Sequence, residues 1–85
     1  MRILDHQQQL MTITAEECGE LTQVCMKILR RGEVDQEMRT KLIEEIGDVM
    51  CMVDLMHEYD IFSYADVENR IEVKKDKLRV WSDLV

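Results

Sequence analysis

Two short acidic motifs carry the residues of this chain that are best suited to chemistry. In the first motif Glu17 and Glu20 are three residues apart, and in the second motif Glu45 and Asp48 have the same spacing. On a helix this spacing places both side chains of a pair one turn apart on the same face. Four carboxylates that face one another repel unless a hard cation such as Mg²⁺ lies between them. The spacing therefore predicts a divalent metal site.

Both acidic pairs lie within an apolar stripe rather than on a solvated face. At about 100° per residue, Leu10 and Val24 fall within about 20° of Glu17 around the first helix. Met52 falls within about 20° of Glu45 around the second helix. Burying a carboxylate is costly unless the group is paired or binds a metal. A single pair would favour an exposed helix face, whereas two pairs at the same offset favour a functional site.

The composition is typical of a small, acidic, helical protein. The chain has 85 residues, no proline and a net charge of −7. This length predicts one domain over residues 1–85, with a core small enough to benefit from oligomerisation. The negative charge argues against binding to nucleic acid or to an anionic membrane, and no apolar run is long enough to span a bilayer. Three cysteines without CxxC spacing predict reduced thiols in a cytoplasmic protein.

Capping signals divide the chain into three helices and predict an all-α fold. The first helix is expected to begin at Leu4 or Asp5 and to end at Arg31, because Gly32 suits the position after a last turn. The second is expected from about residue 35 to 59. The segment Ser63–Asp66 resembles a capping box with aspartate in place of glutamate, which predicts a third helix up to about residue 81.

The first two helices carry apolar side chains on more than one side. Behind the acidic stripes lie further large apolar residues: Met11, Met26, Leu29, Ile43 and Met50. A helix that is apolar on two sides needs two sets of neighbours, and three helices can hardly supply them. The pattern therefore predicts a four-helix bundle core that is completed by oligomerisation.

The ligand types indicate which metal the acidic pairs would hold. An all-oxygen set selects Mg²⁺, Mn²⁺ or Ca²⁺ over zinc or iron, and Ca²⁺ more usually takes carbonyl oxygens from loops. Mg²⁺ is therefore expected, with Mn²⁺ as a possible substitute. Protein carboxylates typically share Mg²⁺ with substrate phosphates, so the sequence predicts metal-dependent attack of water on a phosphoanhydride. Glu16 points about 100° away from Glu17. It is either an outer residue that orients a ligand or a water, or an ordinary solvated residue.

Positive charge is concentrated in the third helix. Lys75 and Arg79, together with Lys27 beside the first acidic stripe, are candidates to neutralise substrate phosphates, with a solvated helix face as the alternative for each. Trp81 is a candidate to stack on a nucleobase, with packing at a helix junction as its alternative. His6 is read as an ordinary exposed histidine, with a substrate contact across a dimer interface as the alternative.

These motifs resemble those of the all-α nucleoside triphosphate pyrophosphohydrolases of the MazG-like superfamily. The family pattern E-E-x-x-E followed by E-x-x-D reads here as Glu16, Glu17 and Glu20, then Glu45 and Asp48. The resemblance covers most of the chain. It implies that Glu17, Glu20, Glu45 and Asp48 hold Mg²⁺. It also implies a homodimer or homotetramer built on a four-helix bundle, with sites between protomers.

The third helix departs from the family pattern at one position. Many relatives carry a Lys-Asn-x-x-Arg-like segment late in this helix, where it helps to hold phosphates. Here the comparable segment runs from Lys75 to Arg79, and Asp76 takes the place of the asparagine. The resemblance therefore implies phosphate contacts from Lys75 and Arg79 but not from Asp76.

The resemblance implies hydrolysis of a nucleoside triphosphate to the monophosphate and pyrophosphate, for housecleaning or for control of nucleotide pools. Phosphoribosyl-ATP pyrophosphohydrolase activity is an alternative within the superfamily. A non-enzymatic helical dimerisation or regulatory module is the alternative outside it. That module would use the acidic residues to contact a basic partner, and Mg²⁺ would not stabilise it.

Overall fold

The computed structural model describes residues 5–85, which form three α-helices and contain no strand. Helix α1 spans His6–Arg31, α2 spans Gln36–Glu58 and α3 spans Tyr64–Trp81. The predicted all-α fold class is therefore confirmed, and the predicted helix ends agree with the observed ones to within a residue. Leu4, named as a possible first residue of α1, lies outside the described residues. None of the helices in residues 5–85 is long and apolar enough to cross a membrane.

Side-chain caps explain where α1 begins and ends. The Asp5 carboxylate accepts a hydrogen bond from the Gln8 amide at 2.7 Å, and the Gln8 side-chain oxygen accepts one from the Asp5 amide at 3.1 Å. This reciprocal capping box satisfies amides that would otherwise lack a helical partner. At the other end Gly32 adopts φ 85°, a left-handed conformation that glycine takes without steric cost.

A short turn reverses the chain between α1 and α2. Asp35 caps α2 by accepting a hydrogen bond from the Met38 amide at 2.8 Å, and Arg31 donates to the same carboxylate at 2.9 Å. These contacts tie the last turn of α1 to the first turn of α2. The two helices consequently form an antiparallel pair whose register brings the two acidic motifs to the same level.

The core lies between α1 and α2. Its four buried side chains are Leu10 and Val24 of α1 and Met38 and Met52 of α2, and Met38 is completely inaccessible to solvent. Val24 and Met38 lie towards the turn that joins the helices, whereas Leu10 and Met52 lie towards the open end. The acidic motifs lie between these two apolar layers, and the layers fix the distance between the helices at the site.

Helix α3 joins the pair through aromatic contacts at its first turn. Helix α2 ends where Asp60 adopts a left-handed φ of 58°, and the Ile61 amide donates to the Met56 carbonyl at 3.0 Å. The Tyr64 ring lies 4.3 Å from the His57 ring between centroids, and the Tyr64 hydroxyl donates to Asp54. Ser63 caps α3 by accepting from the Ala65 amide at 3.2 Å, rather than through the predicted box with Asp66.

The described helices leave much apolar surface uncovered. No residue of α3 is buried, and Leu29 of α1 and Ile43 of α2 are 71% and 61% exposed. The accessible surface is 6931 Å², whereas a compact protein of this mass exposes about 5,300 Å². The radius of gyration is 15.7 Å, against about 12 Å for a compact chain of this length. A single protomer is therefore an open arrangement of helices.

Candidate metal centre

Three carboxylates meet in the middle of the groove between α1 and α2. Glu17 comes from α1, and Glu45 and Asp48 come from successive turns of α2. Each offers one oxygen, and the three oxygens all lie within 4.8 Å of one another. Glu17 and Glu45 are half-buried, whereas Asp48 is exposed. The cluster is therefore enclosed by the helices on one side and open to a ligand on the other.

The electrostatics of this carboxylate cluster are unfavourable in the absence of a cation. Burial raises the pKa of Glu17, and the charges of Asp48, Glu45 and Glu20 raise it further. Burial also raises the pKa of Glu45, followed by the charges of Asp48, Glu20 and Glu44. The charged neighbours that raise both pKa values are acidic. The folded protein therefore concentrates negative charge at a point where its own charges do not balance it.

One oxygen of the cluster has the character of a metal ligand. Glu45 Oε2 is buried and has no hydrogen-bond partner, the one such side-chain atom among the described residues. A buried acceptor without a partner is destabilising, so native proteins rarely retain one without a reason. The cluster offers only oxygen donors, which are the ligands that Mg²⁺ and Mn²⁺ prefer. The residues present therefore fit a hard divalent cation.

Glu20, the fourth carboxylate of the predicted set, stands slightly apart from the other three. Its side chain is exposed and does not belong to the group whose oxygens lie within 4.8 Å. It is nevertheless near enough for its charge to raise the pKa of both Glu17 and Glu45. Glu16, the predicted outer residue, is exposed on α1.

Comparison with models of known protein families identifies the family of this chain over nearly its whole length. The family model of the MazG nucleotide pyrophosphohydrolase domain matches residues 5–79, which include both acidic motifs and most of α3. This chain belongs to the MazG family. The resemblance found in the acidic motifs is thereby confirmed, and membership of the family indicates nucleotide pyrophosphohydrolase activity. No curated protein and no solved structure matches the chain.

The basic residues of α3 that were predicted to bind phosphate pair with carboxylates of their own helix in this protomer. Lys75 pairs with Glu72 at 3.5 Å, and Arg79 pairs with Asp76, both within α3. Asp76, at the position where relatives carry asparagine, thus partners Arg79. The extensive helix packing in residues 5–85 is between α1 and α2, and α3 has no buried residue.

The two remaining predicted substrate residues are also open to solvent. Lys27 is exposed on α1, and Trp81, at the end of α3, is 84% exposed. The junction-packing alternative for Trp81 is not observed within the protomer. Both side chains are accessible to a substrate or to a second copy of the chain.

A pocket that the sequence reasoning missed lies at the open end of the groove. It encloses about 180 Å³ and is lined by His6, Gln9, Leu10, Ile13, Met52, Leu55 and Tyr59. The His6 and Tyr59 rings meet edge to face, with their centroids 5.1 Å apart. A signal was present in the sequence. His6 precedes Glu17 by eleven residues and Tyr59 follows Asp48 by eleven, which is close to three helical turns in each case.

Proposed function

We propose that this MazG-family protein is a Mg²⁺-dependent nucleoside triphosphate pyrophosphohydrolase. The observation that carries the proposal is the gathering of Glu17, Glu45 and Asp48, with one buried and unpartnered carboxylate oxygen among them. Carboxylates arranged in this way destabilise the fold unless a cation offsets their repulsion. The match to the MazG nucleotide pyrophosphohydrolase domain supports the same reaction class.

Glu17, Glu45 and Asp48 would hold the cation, and Glu20 lies close enough to complete the set. Mn²⁺ is a possible substitute, because it accepts the same oxygen ligands. When bound, the cation supplies polarisation of phosphoryl oxygens and charge neutralisation between the carboxylates and an anionic substrate. Without that neutralisation the acidic groove would repel a triphosphate.

The proposed reaction adds water across the phosphoanhydride between the α and β phosphates. The water oxygen forms a bond to phosphorus as the bridging P–O bond breaks, and the proton of the water passes to solvent or to a nearby base. The products are a nucleoside monophosphate and pyrophosphate. Glu16, next to Glu17 and exposed, is proposed to orient the attacking water or a ligand from outside the carboxylate cluster.

The phosphate contacts are proposed to come from a second protomer in a homodimer or homotetramer. The protomer exposes about 1,600 Å² more than a compact protein of its mass, and a standard interface takes roughly 800 Å² from each partner. Association through the exposed apolar sides of the helices would cover this surface and complete a four-helix bundle. It would also give the α3 residues Lys75, Arg79 and Trp81 a route to the acidic groove of the partner. Lys27, on the same helix as Glu17, is proposed to add a phosphate contact within the protomer.

The proposed biological role is the removal of unwanted nucleotides or the control of nucleotide pools in the cytoplasm. Hydrolysis to a monophosphate and pyrophosphate suits this role, because it withdraws the triphosphate that polymerases use. The alternatives, phosphoribosyl-ATP hydrolysis and a regulatory module without activity, make different predictions for the same assay.

Product analysis tests the proposal directly. The purified full chain is incubated with Mg²⁺ and a panel of ribo- and deoxyribonucleoside triphosphates plus phosphoribosyl-ATP, and the products are separated by ion-exchange chromatography. We expect equal amounts of monophosphate and pyrophosphate, and far less product from Glu45→Gln protein prepared in parallel. Release of orthophosphate and a nucleoside diphosphate would contradict cleavage between the α and β phosphates. Turnover of none of the substrates, without stabilisation by Mg²⁺, would favour the regulatory module.

A further inference from the structure

The pocket at the open end of the α1–α2 groove, called here the end pocket, is lined by apolar side chains and by two rings that carry polar atoms. Four of its lining side chains are apolar, Leu10, Ile13, Met52 and Leu55, and are called here its floor, and Gln9 also lines it. Its rim carries the rings of His6 and Tyr59, which contact each other edge to face. Small-molecule pockets are typically lined by apolar and aromatic side chains with a few polar groups, and a flat, partly polar ring complements such a lining.

The end pocket is continuous with the carboxylate cluster along the same groove. Ile13 and Leu10 lie one and two turns before Glu17 on α1, and Met52 lies one turn after Asp48 on α2. With a rise of 1.5 Å per residue, the pocket floor begins about 6 Å from the carboxylates along the helix axes. His6 and Tyr59 lie at about 16 Å, at matching levels on the two antiparallel helices. A single extended ligand can therefore touch both places.

The lining and the size of the end pocket exclude phosphate and favour a single ring system. No lysine or arginine belongs to its lining among residues 5–85, and an apolar floor offers a phosphate nothing to replace its hydration. Its volume of about 180 Å³ is below the roughly 300 Å³ at which pockets for whole drug-sized ligands begin. A heterocyclic base fits this description better than a sugar or a complete nucleotide.

We propose that the end pocket binds the base of the nucleotide whose phosphates lie at the carboxylate cluster, and that His6 and Tyr59 determine base specificity. The inference rests on the proposed function, since it places the sugar between the two sites and the triphosphate towards the α1–α2 turn. The floor contacts the face of the base, while the imidazole and the phenol hydrogen-bond to its edge. Trp81, the other candidate for contact with a base, is 84% exposed and could cover only one face of a base within the protomer.

Nucleoside binding to the full chain tests the proposal without metal or turnover. Adenosine, guanosine, cytidine, uridine and thymidine are titrated into the ¹⁵N-labelled protein in EDTA, and ribose serves as the ligand without a base. We expect at least one nucleoside to shift the amide signals of the pocket residues, whereas ribose does not. Tyr59→Ala should weaken that binding about tenfold, as loss of base–aromatic contact does in other proteins. Tyr59→Phe should retain most of the affinity and lose discrimination between bases.

Matched controls separate this proposal from the proposed function. Ile61→Ala removes an apolar side chain two residues further along, outside the pocket lining, and should leave nucleoside affinity unchanged. In the hydrolysis assay, Tyr59→Ala should raise KM for the preferred nucleoside triphosphate, whereas Ile61→Ala should leave this KM unchanged. The proposal is overturned if no nucleoside binds, or if Tyr59→Ala leaves nucleoside affinity unchanged. Either result is independent of whether wild-type protein releases pyrophosphate, which tests the function itself.

Discussion

Helices α1 and α2 pack along their length, whereas α3 contacts them chiefly at its first turn. The α1–α2 pair contains all four buried core residues of the described chain and brings three carboxylates together. Helix α3 has no buried residue, and its Lys75 and Arg79 form ion pairs with carboxylates of the same helix. The two regions therefore differ in packing, because the α1–α2 pair forms the core around a carboxylate cluster whereas α3 remains exposed in the protomer.

This difference indicates how the work of the proposed enzyme is divided. The acidic half of the site needs only the α1–α2 pair, since short capping contacts and two apolar layers fix its geometry. The basic half depends on where α3 lies in the assembled protein. Substitutions of the carboxylates should consequently lower kcat, whereas substitutions of the basic residues of α3 should raise KM.

The largest effect is expected from the carboxylate cluster itself. Glu17→Gln, Glu45→Gln and Asp48→Asn each remove a charged oxygen donor and should lower kcat by about 100-fold or more, since a bound cation supplies several kcal/mol of charge stabilisation. Circular dichroism should show an unchanged helix content. Glu33→Gln, in the turn between α1 and α2, is the matched control and should keep wild-type activity. Persistence of activity in all three variants would contradict the assignment.

A mixing experiment tests whether α3 acts across protomers. Arg79→Ala should raise KM for the nucleotide by about tenfold or more, because a charge-assisted contact to phosphate is lost. When Arg79→Ala and Glu45→Gln proteins are unfolded together and refolded, mixed dimers would contain one intact site. Activity of about a quarter of the wild-type level should then return if subunits associate at random.

The result of mixing distinguishes the two possible arrangements of α3. If α3 serves the carboxylates of its own chain, each mixed dimer has two damaged sites and activity stays at the level of the separate variants. That outcome would place the basic half of the site within one protomer. It would also remove the main functional reason for proposing an oligomer.

Addition of Mg²⁺ should raise the melting temperature of the wild type and not that of Glu45→Gln. A ligand at about 100 times its dissociation constant adds about 2.7 kcal/mol to the free energy of unfolding, which for a domain of this size is roughly 10 °C or more. Differential scanning fluorimetry with Mg²⁺, Mn²⁺ and EDTA measures the shift. In EDTA, Glu45→Gln should melt at or above the wild-type temperature, because one repelling charge is gone. An equal Mg²⁺ response in both proteins would locate the cation elsewhere.

A smaller effect is expected when the pH of the metal-free protein is varied. Burial and acidic neighbours raise the pKa of Glu17 and Glu45 above the ordinary value of 4.5, so the folded state binds protons more readily than the unfolded state. The destabilisation from these two charges is therefore present at neutral pH. This destabilisation decreases as the pH falls through the raised pKa values of the folded state. It is absent at a pH well below the ordinary pKa of 4.5.

The matched comparison for this pH effect is the double variant Glu17→Gln/Glu45→Gln. In EDTA it should be more stable than the wild type at about pH 7, and the difference in melting temperature should narrow towards about pH 4. A difference that stays constant or widens as the pH falls would show that these carboxyls do not have raised pKa values.

The sequence alone predicted most of the local features of the fold. Asp5, Gly32 and Asp35 lie at helix ends as predicted, because capping depends on residues within a few positions of one another. Ser63 caps α3 through the Ala65 amide, so the predicted box with Asp66 was wrong. Helical periodicity also predicted the face of each helix on which the acidic pair lies. Within the candidate site, the sequence predicted four carboxylates together, whereas the structure gathers three and leaves Glu20 beside them.

Two features depended on how the helices meet and were not accessible from periodicity. The end pocket exists because the ends of α1 and α2 lie at the same level, which places His6 beside Tyr59 across more than fifty residues of chain. The open position of α3 follows from the connection after Glu58 and the anchoring of Tyr64 to Asp54 and His57.

The sequence by itself determined the helices, their caps and the face on which each carboxylate lies, because these depend on contacts between residues close in the chain. The tertiary structure decided which carboxylates meet, that Glu45 Oε2 is left without a partner, and that a base-sized pocket opens beside them. Those features depend on the distance and register between helices, which are set by the packing of Leu10, Val24, Met38 and Met52. Packing of this kind joins residues far apart in the sequence, so no local pattern specifies it.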